Sequence, residues 1–269
     1  GRIEHLLHPS DDATGISYRL LPMMHSILWE LFTPEQAAAH VAIIREHLLA
    51  PDGARLFDRP PRYRGGLQRH FQRAESSPFF GREIGLMYTH AHLRYAEAMA
   101  HYGDADAFFV ALQKAHPIAI ASVVPTAAPR QANCYFSSSD PAFQDRYEAS
   151  ERYRDVMAGK VTVEGGWRIY SSGPGIAYRV LHECFVGVRR SASAVVIDPV
   201  VPRALDGLRA DIRLAGESVT MVYRTGAKGR GPVALRLNGD ALPFTREPNR
   251  YRTGAARVMR ERATPIRVG

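Results

Sequence analysis

The sequence predicts a mainly helical region followed by a small all-β domain, with the change of texture near residue 187. Three observations carry that expectation. Capped runs with apolar residues at helical spacing dominate before this point, and alternating β-branched runs follow it. Asn238-Gly239 then marks a hairpin turn between two of those later runs. With 269 residues, 45% of them hydrophobic, the chain can bury a sizeable core.

Taken in order, Thr33-Pro34-Glu35-Gln36 supplies a cap, a proline at the first helical position and a capping-box glutamine before a helix from Ala37 to Leu49. A second helix is expected from Gly85 to Tyr102, with Leu86, Leu93, Ala96 and Met99 apolar and Gly103 as its stop. Asp104 caps a third, through Phe108, Phe109 and Leu112 to His116. Asp140-Pro141 opens a fourth, to about Met157, and Gly175 to Phe185 reads as a fifth. The spacing suggests paired antiparallel helices, as in a helical barrel. The stretches 50–84 and 117–139 lack helical periodicity, and loops this long are usually functional. Strands are expected at 192–197, 218–223 and 233–237, with the hairpin continuing into 241–244. The expected domains are therefore residues 1–187 and 188–269.

Composition narrows the function classes. The net charge of +8 is concentrated in residues 180–269, which hold 16 Arg/Lys against 8 Asp/Glu. Arg209 and Arg213, and Arg236 before Leu237, alternate with apolar residues, so solvated strand faces explain this charge better than nucleic-acid binding. No apolar run approaches the ~20 residues that cross a bilayer, so no membrane partner is expected. Cys134 and Cys184 lack metal-site spacing; no metal is expected, and a reduced cytoplasmic setting fits. The opening residues Gly1 to Leu7 read as the middle of an element, without an initiator Met, and the chain is expected to be a piece of a longer protein.

Three segments could carry chemistry. In Arg82-Glu83-Ile84-Gly85-Leu86-Met87-Tyr88-Thr89-His90-Ala91-His92 a histidine-rich turn opens a helix, where backbone N–H groups, the helix dipole and an imidazole can converge on an anion. A core role for His90 or His92 fits that spacing equally well. In Glu164-Gly165-Gly166-Trp167-Arg168-Ile169-Tyr170-Ser171-Ser172-Gly173-Pro174-Gly175, glycines permit close backbone approach, the serines can donate to phosphate oxygens and Trp167 offers a stacking face. It also reads as an ordinary helix entry, and it is not a Walker loop. In Asp58-Arg59-Pro60-Pro61-Arg62-Tyr63-Arg64, sugar or phosphate contact and a solvated surface loop are equally compatible.

Together these segments resemble glycoside hydrolase family 94, the cellobiose phosphorylase and cyclic glucan synthase group. The family's Glu-Asn-Gly-Gly-x-Tyr-Thr-His-Ala pattern is met by Glu83, Gly85, Tyr88, Thr89, His90 and Ala91, with Ile84 and Leu86 departing from it. Its Gly-Gly-Trp-x-x-Tyr-Thr-Gly run is met by Gly165, Gly166, Trp167 and Tyr170, with Ser171-Ser172 in place of Thr-Gly. Val186-Gly187-Val188-Arg189-Arg190 and Ile197-Asp198-Pro199 are similar to its Leu-Gly-Ile-Arg and Ile-Asp-Pro elements. Asn133 to Asp140 and the Ser-Ser-Gly-Pro-Gly variant look more like the β-1,2-oligoglucan phosphorylases than cellobiose phosphorylase.

The resemblance implies part of an (α/α)6 barrel followed by a small β-domain. It implies inverting phosphorolysis of a β-glucosidic bond in an oligosaccharide, giving α-glucose 1-phosphate, with inorganic phosphate as co-substrate and no other cofactor. By position it implies phosphate binding by His90, Ser171 and Ser172, and substrate contact by Glu83 and Tyr88. Arg59, Arg62, Arg64 and Trp167 are further candidates for the sugar. The family's general acid lies in an Asp-Trp-Asn-Asp-Gly motif that does not occur in this sequence, so the proton donor is expected upstream and the piece alone is expected to be inactive. The resemblance leaves room for a homodimer. The alternatives are a non-catalytic carbohydrate-binding module, the phosphorylase-like domain of a cyclic β-1,2-glucan synthase, and a basic nucleic-acid-binding protein.

Overall fold

The computed structural model describes residues 8–259 except 62, 64, 73, 74, 76–86, 117, 118, 130–137, 166–171, 215 and 227–230. The chain divides into two compact units, Gly1–Ala98 with Val110–Ala177 and Met99–Phe109 with Tyr178–Gly269. Relative to the division expected after residue 187, residues 99–109 and 178–187 group with the strands. Among the described residues no helix is long and apolar enough to cross a membrane.

The first unit opens with α1 (Leu20–Leu28), whose buried Leu20, Met23, Met24 and Ile27 recur at the i, i+3, i+4, i+7 spacing of one helix face. The expected capping box starts α2 (Pro34–Ile43): Thr33 accepts from the Gln36 N–H, and the Gln36 side chain accepts in return from the Thr33 N–H. A π-helical turn, Ile44–Leu48, follows, then the short antiparallel pair β1 (Leu49–Ala50) and β2 (Gly53–Ala54).

The second expected helix begins later than its sequence suggests. Met87–Tyr88 is a strand, β3, and α3 runs Thr89–Tyr102. The departure has a non-local cause, because Met87 and Tyr88 pair with residues far along the chain. Gly103 ends α3 as expected, at φ +91 and donating to the Met99 carbonyl. Asp104 caps α4 (Ala105–Ala115) through the Ala107 N–H.

The stretch read as a loop holds α5 (Ile120–Val123) and β4 (Ala127–Pro129). Asp140-Pro141 does not open a helix. It ends β5 (Ser138–Pro141), and Asp145 is the cap, accepting from the Tyr147 and Glu148 N–H groups ahead of α6 (Arg146–Glu151) and α7 (Tyr153–Met157). Then come β6 (Val163–Gly165) and α8 (Ser172–Val180), which continues as a π-helical turn, Leu181–Phe185. Leu93, Ala115 and Ala177 form one small core cluster, and Ile120, Val124 and Val163 another.

The second unit is built from antiparallel strands. β7 (Val188–Arg190), β8 (Ala194–Ile197), β13 (Thr245–Glu247) and β14 (Ala255–Met259) form a sheet in the order β13-β14-β8-β7. β9 (Arg209–Leu214) pairs with β10 (Glu217–Val222), and β11 (Arg236–Leu237) with β12 (Asp240–Ala241). Asn238 and Gly239 both have positive φ, 53 and 97, as a two-residue hairpin turn requires. Exposure alternates along β9, with Arg209 and Arg213 on the outer face, so these arginines are solvated strand residues.

Candidate functional site

The strand register brings the motif segments together. β5 lies between β3 and β6, with Tyr88 opposite Ser138, Met87 and Gly165 opposite Ser139, and Glu164 opposite Asp140. β5 is antiparallel to both neighbours, so β3 and β6 run in the same direction. Each then leads to a helix: β3 directly into α3, and β6 after six residues into α8, which begins at Ser172. Both connections leave the sheet at one end, the end at which residues preceding Ser138 enter β5. The ends of β3 and β6, at Tyr88 and Gly165, thus lie side by side along the start of β5, and the first turn of α3 begins there directly at Thr89.

At that end Thr89 is buried and His90 half-buried, and the rings of Tyr88 and His90 lie 5.0 Å apart at 38°. Of the other expected site residues, Arg62, Arg64, Glu83, Trp167 and Ser171 lie outside the described residues, as does Cys134. Arg59 is half exposed. Its Nε donates to Asp58 Oδ2 at 3.2 Å, while Asp58 Oδ1 accepts from the Ser17 and Tyr18 N–H groups. Its local partner matches the solvated-loop reading, and no hydrogen bond or ion pair among the described residues joins it to β3, β5 or β6.

His90 and His92 suited a core role equally on spacing alone; geometry separates them. His92 is 1% exposed and engaged through both ring nitrogens. The Ala54 N–H donates to Nδ1 at 3.0 Å, so Nδ1 carries no proton, and Nε2 donates to the Ala111 carbonyl at 2.8 Å. Burial pushes the His92 pKa down to about 4, and the nearby Lys114 ammonium acts in the same direction. His92 is therefore a neutral core histidine.

Sequence reasoning missed the buried charge beside it. Arg55 and Asp52, 0% and 1% exposed, form an ion pair at 2.7 Å within the stretch read as a loop. Burial also lowers the Lys114 pKa and pushes the Tyr153 hydroxyl up to about 12. Asp-Gly-Ala-Arg looks like surface turn chemistry, and nothing in its spacing signals enclosure. No group of three or more potential metal ligands occurs among the described residues.

In the second unit, the Gly187 and Asp198-Pro199 motifs fit each other. Gly187 has φ +73, and a Cβ there would stand 2.2 Å from Pro199 N. Asp198 receives both guanidinium ends of Arg252, at 2.6 and 2.7 Å. Arg252 also donates through Nε to the His101 carbonyl in the last turn of α3, where a cation offsets the helix dipole.

Comparison with known proteins agrees with this distribution of motifs. Residues 187–263 match the family model of the glycoside phosphorylase C-terminal domain. Over 259 residues, 96% of its length, the chain is 44% identical to a 1,2-beta-oligoglucan phosphorylase of Listeria innocua serovar 6a. The chain spans 23% of that relative's length. By these matches, and by the order of the motifs along it, the chain is similar over nearly its whole length to part of a glycoside phosphorylase.

Proposed function

We propose that the chain contributes the phosphate-binding part of an inverting phosphorylase acting on β-1,2-linked gluco-oligosaccharides, within an (α/α)6 barrel followed by its β-domain. The observation that supports the reading is the β3-β5-β6 register, which lays the strand ends that precede the His90 and Ser171-Ser172 motifs side by side at one end of one sheet. Phosphate, already anionic, attacks the anomeric carbon from the face opposite the leaving sugar, so it needs no general base. It needs donors that hold it in line against charge repulsion, and an acid that protonates the leaving oxygen. His90, Ser171 and Ser172 are the proposed donors, and residues outside these 269 supply the acid. Glu83, Tyr88, Trp167 and the arginines at 59, 62 and 64 are proposed to contact sugar, Arg59 after release from Asp58. Inorganic phosphate is the co-substrate, no other cofactor is involved, and the setting is cytoplasmic. The kinship with a relative named for 1,2-β-oligoglucan supports the linkage.

The test is synthesis from α-glucose 1-phosphate by the full-length enzyme with glucose, cellobiose or sophorose as acceptor. Elongation of sophorose through a β-1,2 bond is expected, and a β-1,4 product at comparable rate refutes the linkage. In the same enzyme His90→Ala should weaken apparent phosphate affinity at least about tenfold, the loss of one charge-assisted hydrogen bond. Unchanged phosphate dependence refutes the assignment of His90.

A further inference from the structure

Two histidines of one helical turn are treated oppositely by the fold. His90 is half-buried beside the Tyr88 ring, while His92 is closed in and bonded on both sides. Through the Ala54 N–H and the Ala111 carbonyl, the one imidazole ties the start of α3 to β2 and to α4. β2 is itself laid along β3, because Arg55 bridges Met87, three residues before His90. Gly53 makes this approach possible: at φ +142, a Cβ there would lie 2.7 Å from Met87 Cγ and 2.8 Å from His92 Nδ1. The Asp52–Arg55 pair spans the same turn and is closed off from solvent. The segment from Met87 to His92 is thus fixed from two sides, by β2 and by α4.

We propose that His92 is a positioning residue: its two hydrogen bonds fix the first turn of α3 and so hold His90 and the adjoining N–H groups where phosphate is bound. The inference rests on the reading of His90 as a phosphate ligand. Its consequence is kinetic. Loosening the turn weakens the binding of phosphate by a larger factor than that of oligosaccharide, because Tyr88, the proposed sugar contact of this segment, is also held by its pairing with β5, whereas His90 depends on the turn.

The test is steady-state phosphorolysis by the full-length enzyme with four single variants. His92→Phe keeps the ring and removes both nitrogens. His92→Asn returns an acceptor near Nδ1 for the Ala54 N–H. Gly53→Ala presses on the same contact from β2, and His90→Ala is the reference. His92→Phe and Gly53→Ala are expected to raise KM for phosphate at least tenfold, a larger factor than any rise in KM for oligosaccharide, and His92→Asn to restore part of the loss. A merely structural role would lower the active fraction, and hence kcat, without moving KM for phosphate. If His92→Phe does not fold, the milder Asn and Gly53→Ala variants decide. Folded variants with phosphate KM unchanged, beside a His90→Ala enzyme whose KM rises, overturn the positioning role and leave the His90 reading intact. A His90→Ala enzyme with unchanged phosphate KM overturns both.

Discussion

Acid should destabilise the helical unit through one side chain. The His92 imidazole has a folded pKa of about 4 against 6.5 when free, because burial opposes its charge. The unfolded chain therefore takes up a proton near 6.5 that the folded chain refuses until about 4. Stability is complete above the unfolded value, falls as pH drops from there, and levels off below the folded one. A shift of this size corresponds to about 3 kcal/mol in full, and about 2 kcal/mol of it is already lost by about pH 5. Protonation would also set an Nδ1–H against the Ala54 N–H, in a surround that already contains Lys114, Arg55 and Asp52. His92→Asn cannot titrate in this range, so the stability difference between wild type and variant isolates the histidine from every other group. Urea unfolding followed by circular dichroism at about pH 7.5 and about pH 5 should show this difference shrinking by about 2 kcal/mol on acidification. A difference that stays constant between the two pH values would mean that His92 is hydrated or differently bonded, and would refute the tautomer derived above.

Two further predictions concern the strand unit. Arg252→Ala leaves Asp198 nearly enclosed without its partner and strips a cation from the His101 carbonyl; the expected loss is about 3–5 kcal/mol in denaturant unfolding, and Arg252→Lys recovers only part, since an ammonium cannot reproduce the two-pronged contact. Gly187→Ala places a methyl within 2.3 Å of two Pro199 backbone atoms, so folded protein should not accumulate, whereas Gly216→Ala, at a turn with open space around it, should cost only backbone strain.

What the sequence could and could not announce follows from the range of the interactions. The Thr33 capping box, the Asp104 cap, the Gly103 stop and the Asn238-Gly239 turn are local, and each appears where its residues stand. α1 carried a clear apolar stripe, yet Arg19 before it makes no side-chain cap, so the usual starting signal is missing. The strands Met87–Tyr88 and Ser138–Pro141 are too short for any period to show, and they exist because they pair with each other and with Val163–Gly165. The choice between His90 and His92 was closed to sequence for the same reason. Its deciding partners lie 38 residues before His92 and 19 after it.

The motifs that signal kinship are not all motifs of chemistry. In the strand unit the Gly187 and Asp198-Pro199 elements are explained without a ligand, by a close backbone approach and a nearly enclosed ion pair. Arg189, between them in sequence, pairs with Glu247 across the same sheet at 3.2 Å. A match over residues 187–263 therefore carries information about how that unit folds. The case for phosphate chemistry rests instead on the match at Tyr88, Thr89 and His90, where a strand end runs directly into a helix start. Substitutions in the two sets should separate: those at Gly187, Asp198 or Arg252 should lower the yield of folded protein with phosphate KM unchanged in what survives. Those at His90 or His92 should move phosphate KM in protein that is folded. An Arg252→Lys enzyme with normal stability and a raised phosphate KM would break this division and would draw the strand unit into the catalytic argument.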